Sequence, residues 1–398
     1  MTQGALAGCR VVDLSRVLAG PMCSMWLGDM GADVVKIERP GCGDDTRAWG
    51  PPFAGSEAAY YLGVNRNKRS LTLDLSRPEG REVLAELIRG ADVVLDNFKI
   101  GTLEGWGFDD DWYEAEAATA VRATVSGYGS TGPKAAMPGY DFILQAETGL
   151  MSVTGEPGGE SMKHGVALVD VCTGMLAAIS VLGALAARVR TGKGQRIEVS
   201  LHDTGIAMLA NVAANHLVSG AEAARYGNGH PNIVPYRTYP TADSELVVTV
   251  GNDAQFAKFA RVMGAEHWAD DERFALNADR VANRDLLDGL IRERMAARPC
   301  VQWMADLQAE GIPCSPINSV AEALASPQTL ARQMVTTVDH PEVGGLALTG
   351  VPFKMSATPG AVRRPPPTLG QHSREVLTEL GFDEAKLAEL ADAGVTTL

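Results

Sequence analysis

The stretch GVALVDVCTGMLAA, residues 165–178, carries a single carboxylate, Asp170, between Val169 and Val171 at the head of an almost uncharged segment. A carboxylate in that setting has two chemistries open to it. As an N-cap it accepts hydrogen bonds from the first-turn amides of the helix that follows. As a nucleophile, kept ionised by those same amides, it offers its free oxygen to an electrophile. The two readings are compatible, and both stand at this point. No base is evident beside it, since His164 is the nearest histidine and a lone His is more often a satisfied polar residue.

Two concentrations of cation stand out against an acidic chain: Lys36 and Arg39 around the run VVKIE, and NRNKRS at residues 65–70. Ligands of parallel α/β sheets gather beyond the carboxyl ends of strands, and Arg39 follows such a run directly. A polyphosphate could sit there; a solvated charged loop is the other reading. The usual nucleotide devices are missing, because no GxGxxG follows the first strand and no GxxxxGK[ST] occurs. TGEPGGE, residues 154–160, is glycine-rich but carries two glutamates that would repel phosphate, and the absence of GxSxG removes the common serine-hydrolase pattern.

These residues need elements to hold them, and the chain supplies an alternation of strands and helices. CRVVDL, DVVKIE, DVVLDNF and AVRATVSGYG read as strands; PMCSMWLGDMGA and a run from about Pro78 read as helices. That order implies βαβ units and an α/β fold with a parallel sheet covered on both faces. Ser76, Pro78 and Glu79 form a capping-box pattern with proline in the first turn. TYPTADSELVVTVG reads as two strands around a turn at residues 242–244, with helical patterns from Asp253 to Glu310. RRPPP in the tail fits a rigid connector better than an SH3-type ligand.

A chain of 398 residues exceeds what one core sustains, so two domains are expected. The boundaries fall after residue 217 and after residue 330, giving segments 1–217, 218–330 as a small α+β unit, and 331–398. A formal net charge of −14 without a long basic run disfavours nucleic acid as a partner. Six scattered cysteines with no CxxC pair point to no metal site and no disulfide framework, and to a reducing cytoplasm. The start, MTQGALAGCRVVDL, lacks a signal-peptide pattern, and the longest uncharged apolar run, about 175–187, is too short to span a bilayer. A buried helix is expected there, and no membrane partner.

Together the fragments VVDLSRVLAGPMCSMWLGDMGADVVKIERPG, NRNKRSLTLDL, DNFKIG, GYDF, VDVCTG, GKGQRIEVSLHD, HPNIVPY, GIPCSPIN and RRPPPTLGQHS resemble the family III CoA-transferases, which include related 2-methylacyl-CoA racemases. The resemblance covers nearly the whole chain. It implies a large Rossmann-like domain built from 1–217 and 331–398 together, an interlocked, ring-like homodimer, acyl-CoA and a free carboxylic acid as substrates, and no tightly bound cofactor. It makes Asp170 the nucleophile, acylated as a mixed anhydride and then converted to an aspartyl-CoA thioester, with Thr173 and Gly174 letting the ligand approach. It also implies CoA contacts at Arg16, Val17, Ala19, Arg39, Leu73, Leu75, Asn97, Phe98 and Tyr140. The loop GNGHPN, residues 227–232, becomes a candidate for oxyanion donors.

Departures from the family pattern narrow the reading. NFKIG stands where the family often has NFRPG, and Gly105 and Pro138 replace cations found in formyl-CoA transferase, which argues against the formyl and oxalyl pair. Racemases of this fold place a His before Asp where this chain has Tyr140, and a phenol titrating near pH 10 shuttles protons poorly at neutral pH. A racemase and a non-catalytic CoA-binding protein are therefore the alternatives to a transferase. The small-domain sequence resembles that of dicarboxylate-specific members, giving succinyl-CoA as the expected donor, a small dicarboxylate as acceptor, and Arg237 as a candidate partner for the distal carboxylate unless it pairs with a surface acid.

Overall fold

The computed structural model describes residues 4–398. The valine-rich runs form strands because β-branched residues alternate onto both faces of a buried pleated surface. Six strands result: β1 (Arg10–Asp13), β2 (Asp33–Glu38), β3 (Lys68–Thr72), β4 (Val93–Asp96), β5 (Val121–Ser126) and β6 (Arg196–Ser200). All pair in parallel, in the spatial order β3-β2-β1-β4-β5-β6, with Val12 opposite both Val35 and Val94. The strand order reverses between β1 and β4, and this is where α/β sheets open a crevice for ligands.

Each face of the sheet carries its own apolar layer. On one face Val11, Val34, Val93, Val121 and Val125 pack with α1 (Ala19–Asp29) and the long helix α4 (Leu168–Thr191). On the other, Val12, Val35 and Val94 pack with Leu84 and Ile88 of α2 (Pro78–Arg89) and with Val376, Leu377, Leu387 and Leu390 from the chain's end. The tail thus returns to this sheet. The proline-rich segment is tied down as well, since Asn67 Oδ1 accepts the Arg363 and Arg364 amides at 2.6 and 3.0 Å, which fits the connector reading.

The molecule divides into two compact units. The first comprises the chain up to Leu150, Lys163–Ala214 and Pro327–Leu398; the second comprises Met151–Met162 and Asn215–Ser326. The second unit is therefore entered twice, whereas the sequence reading has one continuous visit over 218–330. It contains an antiparallel sheet of β7 (Tyr236–Pro240), β8 (Glu245–Thr249) and β9 (Cys314–Pro316), in the order β9-β8-β7. Helices Asp253–Val262, Arg284–Met295 and Cys300–Ala309 close over Phe256, Phe259, Trp268 and Ile291.

Two local expectations are corrected. α2 begins with Pro78 at its first turn, but its N-cap is Arg77 and no side chain caps it, because the Ser76 hydroxyl donates instead to Asp74 at 2.6 Å. The apolar helix α4 is longer than its uncharged run, having 24 residues, and its length and composition suffice to cross a membrane. It is also less buried than expected: Val169, Ala177 and Val181 face the sheet layer, while Met175, Leu176 and Ile179 are exposed.

Candidate active site

The loop that joins β1 to α1 is held from three sides. Asn97, just past the end of β4, clasps Arg16 by accepting its amide at 2.9 Å and donating to its carbonyl at 2.7 Å. Lys36 Nζ, fully buried on β2, donates to the Ser15 carbonyl at 2.8 Å and pairs with Asp44 at 2.9 Å. Asp44 in turn accepts the Val17 amide at 3.3 Å. Val17 is held at φ 72°, a conformation that costs a β-branched residue energy and persists only where its surroundings enforce it.

Beneath that loop lies a second buried ion pair. Asp13 ends β1 and receives Ser15 and Ser24 hydroxyls, with Lys68 at 3.2 Å. Burial opposes the charge on Asp44, yet Lys36 and the bonds from Thr46 hold its carboxyl down at about 2. The pairs thus remain ionised in a dry setting, which such pairs manage only with good geometry and additional hydrogen bonds.

Asp170 is the third residue of α4, so it is not the N-cap; Ala167 occupies that position. The first-turn amides are taken by a carboxylate from another helix, α3 (Asp141–Glu147). Asp141 Oδ1 accepts the Val169 amide at 2.8 Å and the Asp170 amide at 3.3 Å. Gln145 holds the other oxygen of Asp141 at 2.6 Å, and the His164 amide donates to Gln145 at 2.8 Å. The Asp170 side chain is left with no hydrogen-bond donor among the described residues. Burial first, and the Asp141 charge second, push its carboxyl up to about 7. A carboxylate so placed is poorly solvated and correspondingly more nucleophilic.

A cavity of about 550 Å³ opens at the switch point and brings much of this together. Arg16, Val17, Ala19, Asn97, Phe98, Tyr140 and Asp170 all line it, with Asp45, Lys99 and the Ala135–Gly139 loop. The remaining expected contacts lie apart from the lining. Arg39 sits 3.7 Å from Asp45, Leu73 is buried in the core beneath α2, and Leu75 packs at the edge of that core. Thr173 and Gly174 lie apart from the cavity lining, in the helix packing. The Thr173 hydroxyl donates back to Val169 at 2.7 Å, and a Cβ at Gly174 would lie 2.6 Å from the Ala19 carbonyl oxygen of α1.

Sequence reasoning passed over several participants. Asp141 stood in the quoted GYDF, but capping by a side chain 29 residues away leaves no local pattern. Tyr60 went unnoticed; burial and then the Asp170 and Asp141 charges push its phenol up to about 12. Lys36, singled out in the sequence as a cation for phosphate, is instead wholly buried and engaged by Asp44 and the Ser15 carbonyl. Within the second unit, Arg237 is committed to the buried Asp288 at 2.7 Å, not to a surface acid, and the same Asp288 accepts the Tyr239 hydroxyl. The GNGHPN loop is fixed by Arg284, which donates to the His230 and Pro231 carbonyls at 2.9 and 2.8 Å.

Comparison with known proteins gives a consistent result. The family model described as CoA-transferase family III matches residues 6–373. The chain is 43% identical to a succinate–glutarate CoA-transferase of Agrobacterium fabrum, over 94% of this chain and 95% of that protein. It is 39% identical to the succinyl-CoA:glutarate CoA-transferase of Homo sapiens, over 98% of this chain and 89% of the human protein. Among solved structures, a CAIB/BAIF family protein from Brucella suis is 42% identical and superposes with a TM-score of 0.83, covering 96% of this chain and all of that one.

Proposed function

Because the chain belongs to CoA-transferase family III and is a CoA-transferase, we propose that it moves CoA from succinyl-CoA to a small dicarboxylate, with Asp170 carrying first the acyl group and then CoA. The observation that carries this reading is the Asp170 carboxylate: it lines the cavity, accepts no hydrogen bond from the described residues, and has its carboxyl raised to about 7 by burial and by Asp141. Such a group gains more than a hydrated one by forming a covalent bond.

In the first step an Asp170 oxygen attacks the thioester carbonyl, the C–S bond breaks, and the CoA thiolate leaves behind a mixed anhydride. The thiolate then attacks the Asp170 carbonyl of that anhydride. This forms an aspartyl-CoA thioester and expels the first acid as its carboxylate. The second carboxylate repeats the sequence in reverse, ending with its own CoA thioester and free Asp170. Val17, Ala19, Asn97, Phe98 and Tyr140 are read as flanking the CoA chain, with Arg16 and Arg39 toward its phosphates. The dicarboxylate pair is supported by what the two relatives are named for. Asp170→Asn tests the assignment, since an amide cannot form the anhydride. A variant retaining transfer within about tenfold of the parent, roughly 1.4 kcal/mol of barrier, would reject it.

The molecule is read as a homodimer of interlocked rings. Support comes from the apolar side chains exposed in the single chain, Met175, Leu176 and Ile179 on α4 and Phe142 and Ile143 on α3, a patch that a second copy would cover. Light scattering that finds a folded monomer at low concentration removes this reading.

A further inference from the structure

Asp45 lines the cavity, and its carboxylate lies between two guanidinium groups. Oδ2 is 3.6 Å from Arg16 Nη1, and Oδ1 is 3.7 Å from Arg39 Nη2. Both distances suit a charge pair and exceed a hydrogen bond. The donors of Arg16 are left correspondingly idle: its Nε is buried and has no partner among the described residues. A buried donor without an acceptor is costly, and the cost is recovered when an acceptor arrives.

The two partners are held in place independently of each other. Arg16 is fixed through its backbone by Asn97, and its guanidinium lies 6.0 Å from the Phe98 ring. Asp45 is fixed by its neighbour, because Asp44 is wholly buried against Lys36 and accepts both the amide and the hydroxyl of Thr46. The backbones that carry Arg16 and Asp45 are therefore each fixed by the fold apart from the pair's own attraction. About half of each of the Asp45, Arg16 and Arg39 side chains is exposed, so a solute can reach them.

We propose that Asp45 sets the affinity for the CoA thioester: in the free site its carboxylate stands in for a substrate phosphate between Arg16 and Arg39, and its charge opposes the phosphate that takes up those donors. This rests on the transferase reading and on Arg16 and Arg39 as the phosphate partners. The role has a chemical purpose. A CoA-transferase must release one acyl-CoA in every cycle, and phosphate binding remote from the thioester strengthens substrate and product complexes alike. A fixed negative charge beside the phosphate site weakens both without touching the reacting carbonyl.

The test is calorimetric titration of the full-length protein with free CoA, dephospho-CoA and pantetheine. Asp45→Asn keeps the side-chain shape and removes the charge, and it should bind CoA about fivefold to tenfold more tightly, in keeping with one partly exposed charge acting at contact distance. Pantetheine, which has no phosphate, should bind the variant and the parent equally. A gain retained with dephospho-CoA assigns the opposed group to the diphosphate; a gain lost assigns it to the 3′-phosphate. In Arg16→Ala/Arg39→Ala/Asp45→Asn the gain should vanish. Unchanged or weaker CoA binding by Asp45→Asn overturns the proposal. CoA binding by Arg16→Ala and Arg39→Ala at the parent's affinity overturns it by another route, through the phosphate assignment, while transfer by the parent protein still judges the transferase reading separately.

Discussion

Replacing Asp170 by Asn should stabilise the protein, and increasingly so as pH rises. The carboxyl has an ordinary value of 3.8 and stands at about 7 in the fold, because burial and then the Asp141 charge disfavour its ionised form. Its folded value lies above its unfolded one, so its contribution to stability is fully present below about pH 4 and is lost as pH rises through 7. At pH 8 the parent carries the whole cost of a buried charge, about 4 kcal/mol at 1.4 kcal/mol per pH interval. The amide carries none of it. Near 60 °C an unfolding entropy of about 2 cal/mol/K per residue turns that difference into about 5 °C for a chain of this size. Thermal unfolding of both proteins at one fixed concentration, from pH 4.5 to 8.5, reads it directly. The variant's advantage should widen from about 1 kcal/mol at the acid end and level off above pH 7.5. A gap that stays constant, or a parent that gains on the variant as pH rises, would refute the desolvated-carboxylate argument.

The same ionisation should appear in catalysis: kcat/KM for acyl-CoA rises with pH and levels above about 7, and Asp141→Asn moves the inflection downward by removing the neighbouring charge. An inflection that stays put in the variant would assign it to another group. Lys36→Met should destabilise the fold by about 3–5 kcal/mol, since it leaves the wholly buried Asp44 without its cation; denaturant titration measures the loss. Succinyl-CoA should outpace butyryl-CoA as donor to glutarate in a coupled assay, and equal rates or a preference for butyryl-CoA would reject the dicarboxylate reading while leaving the transferase assignment intact.

Much of the first unit could be read from its sequence because parallel strands buried on both faces announce themselves as runs such as RVVD and DVVKIE, and the helices between them leave few other arrangements. Asp170 stood out by its place at the head of an apolar helix, but Asp is common there as an N-cap, so the sequence alone left capping and nucleophilic readings both open. What could not be read was the partner that other segments supply. The amides expected to serve Asp170 are taken by Asp141 from α3, which changes Asp170 from a capping group into a partly buried carboxylate without a donor among the described residues. Ser76 follows the same logic on a smaller scale, its hydroxyl drawn away to Asp74 two residues back. Arg237 looked available in the sequence and is engaged by Asp288, 51 residues on. The apolar run of α4 forecast burial, and the single chain leaves one of its faces open.

The central claim is that Asp170 becomes covalently attached to CoA. The direct measurement is to mix the protein with succinyl-CoA and no acceptor acid, quench with acid, digest, and weigh the peptide that contains residues 165–178. The account predicts that this peptide gains the mass of CoA less one water, and that the gain is discharged on adding a dicarboxylate. An unmodified Asp170 peptide under conditions where transfer proceeds, or CoA mass on a different residue, would contradict it.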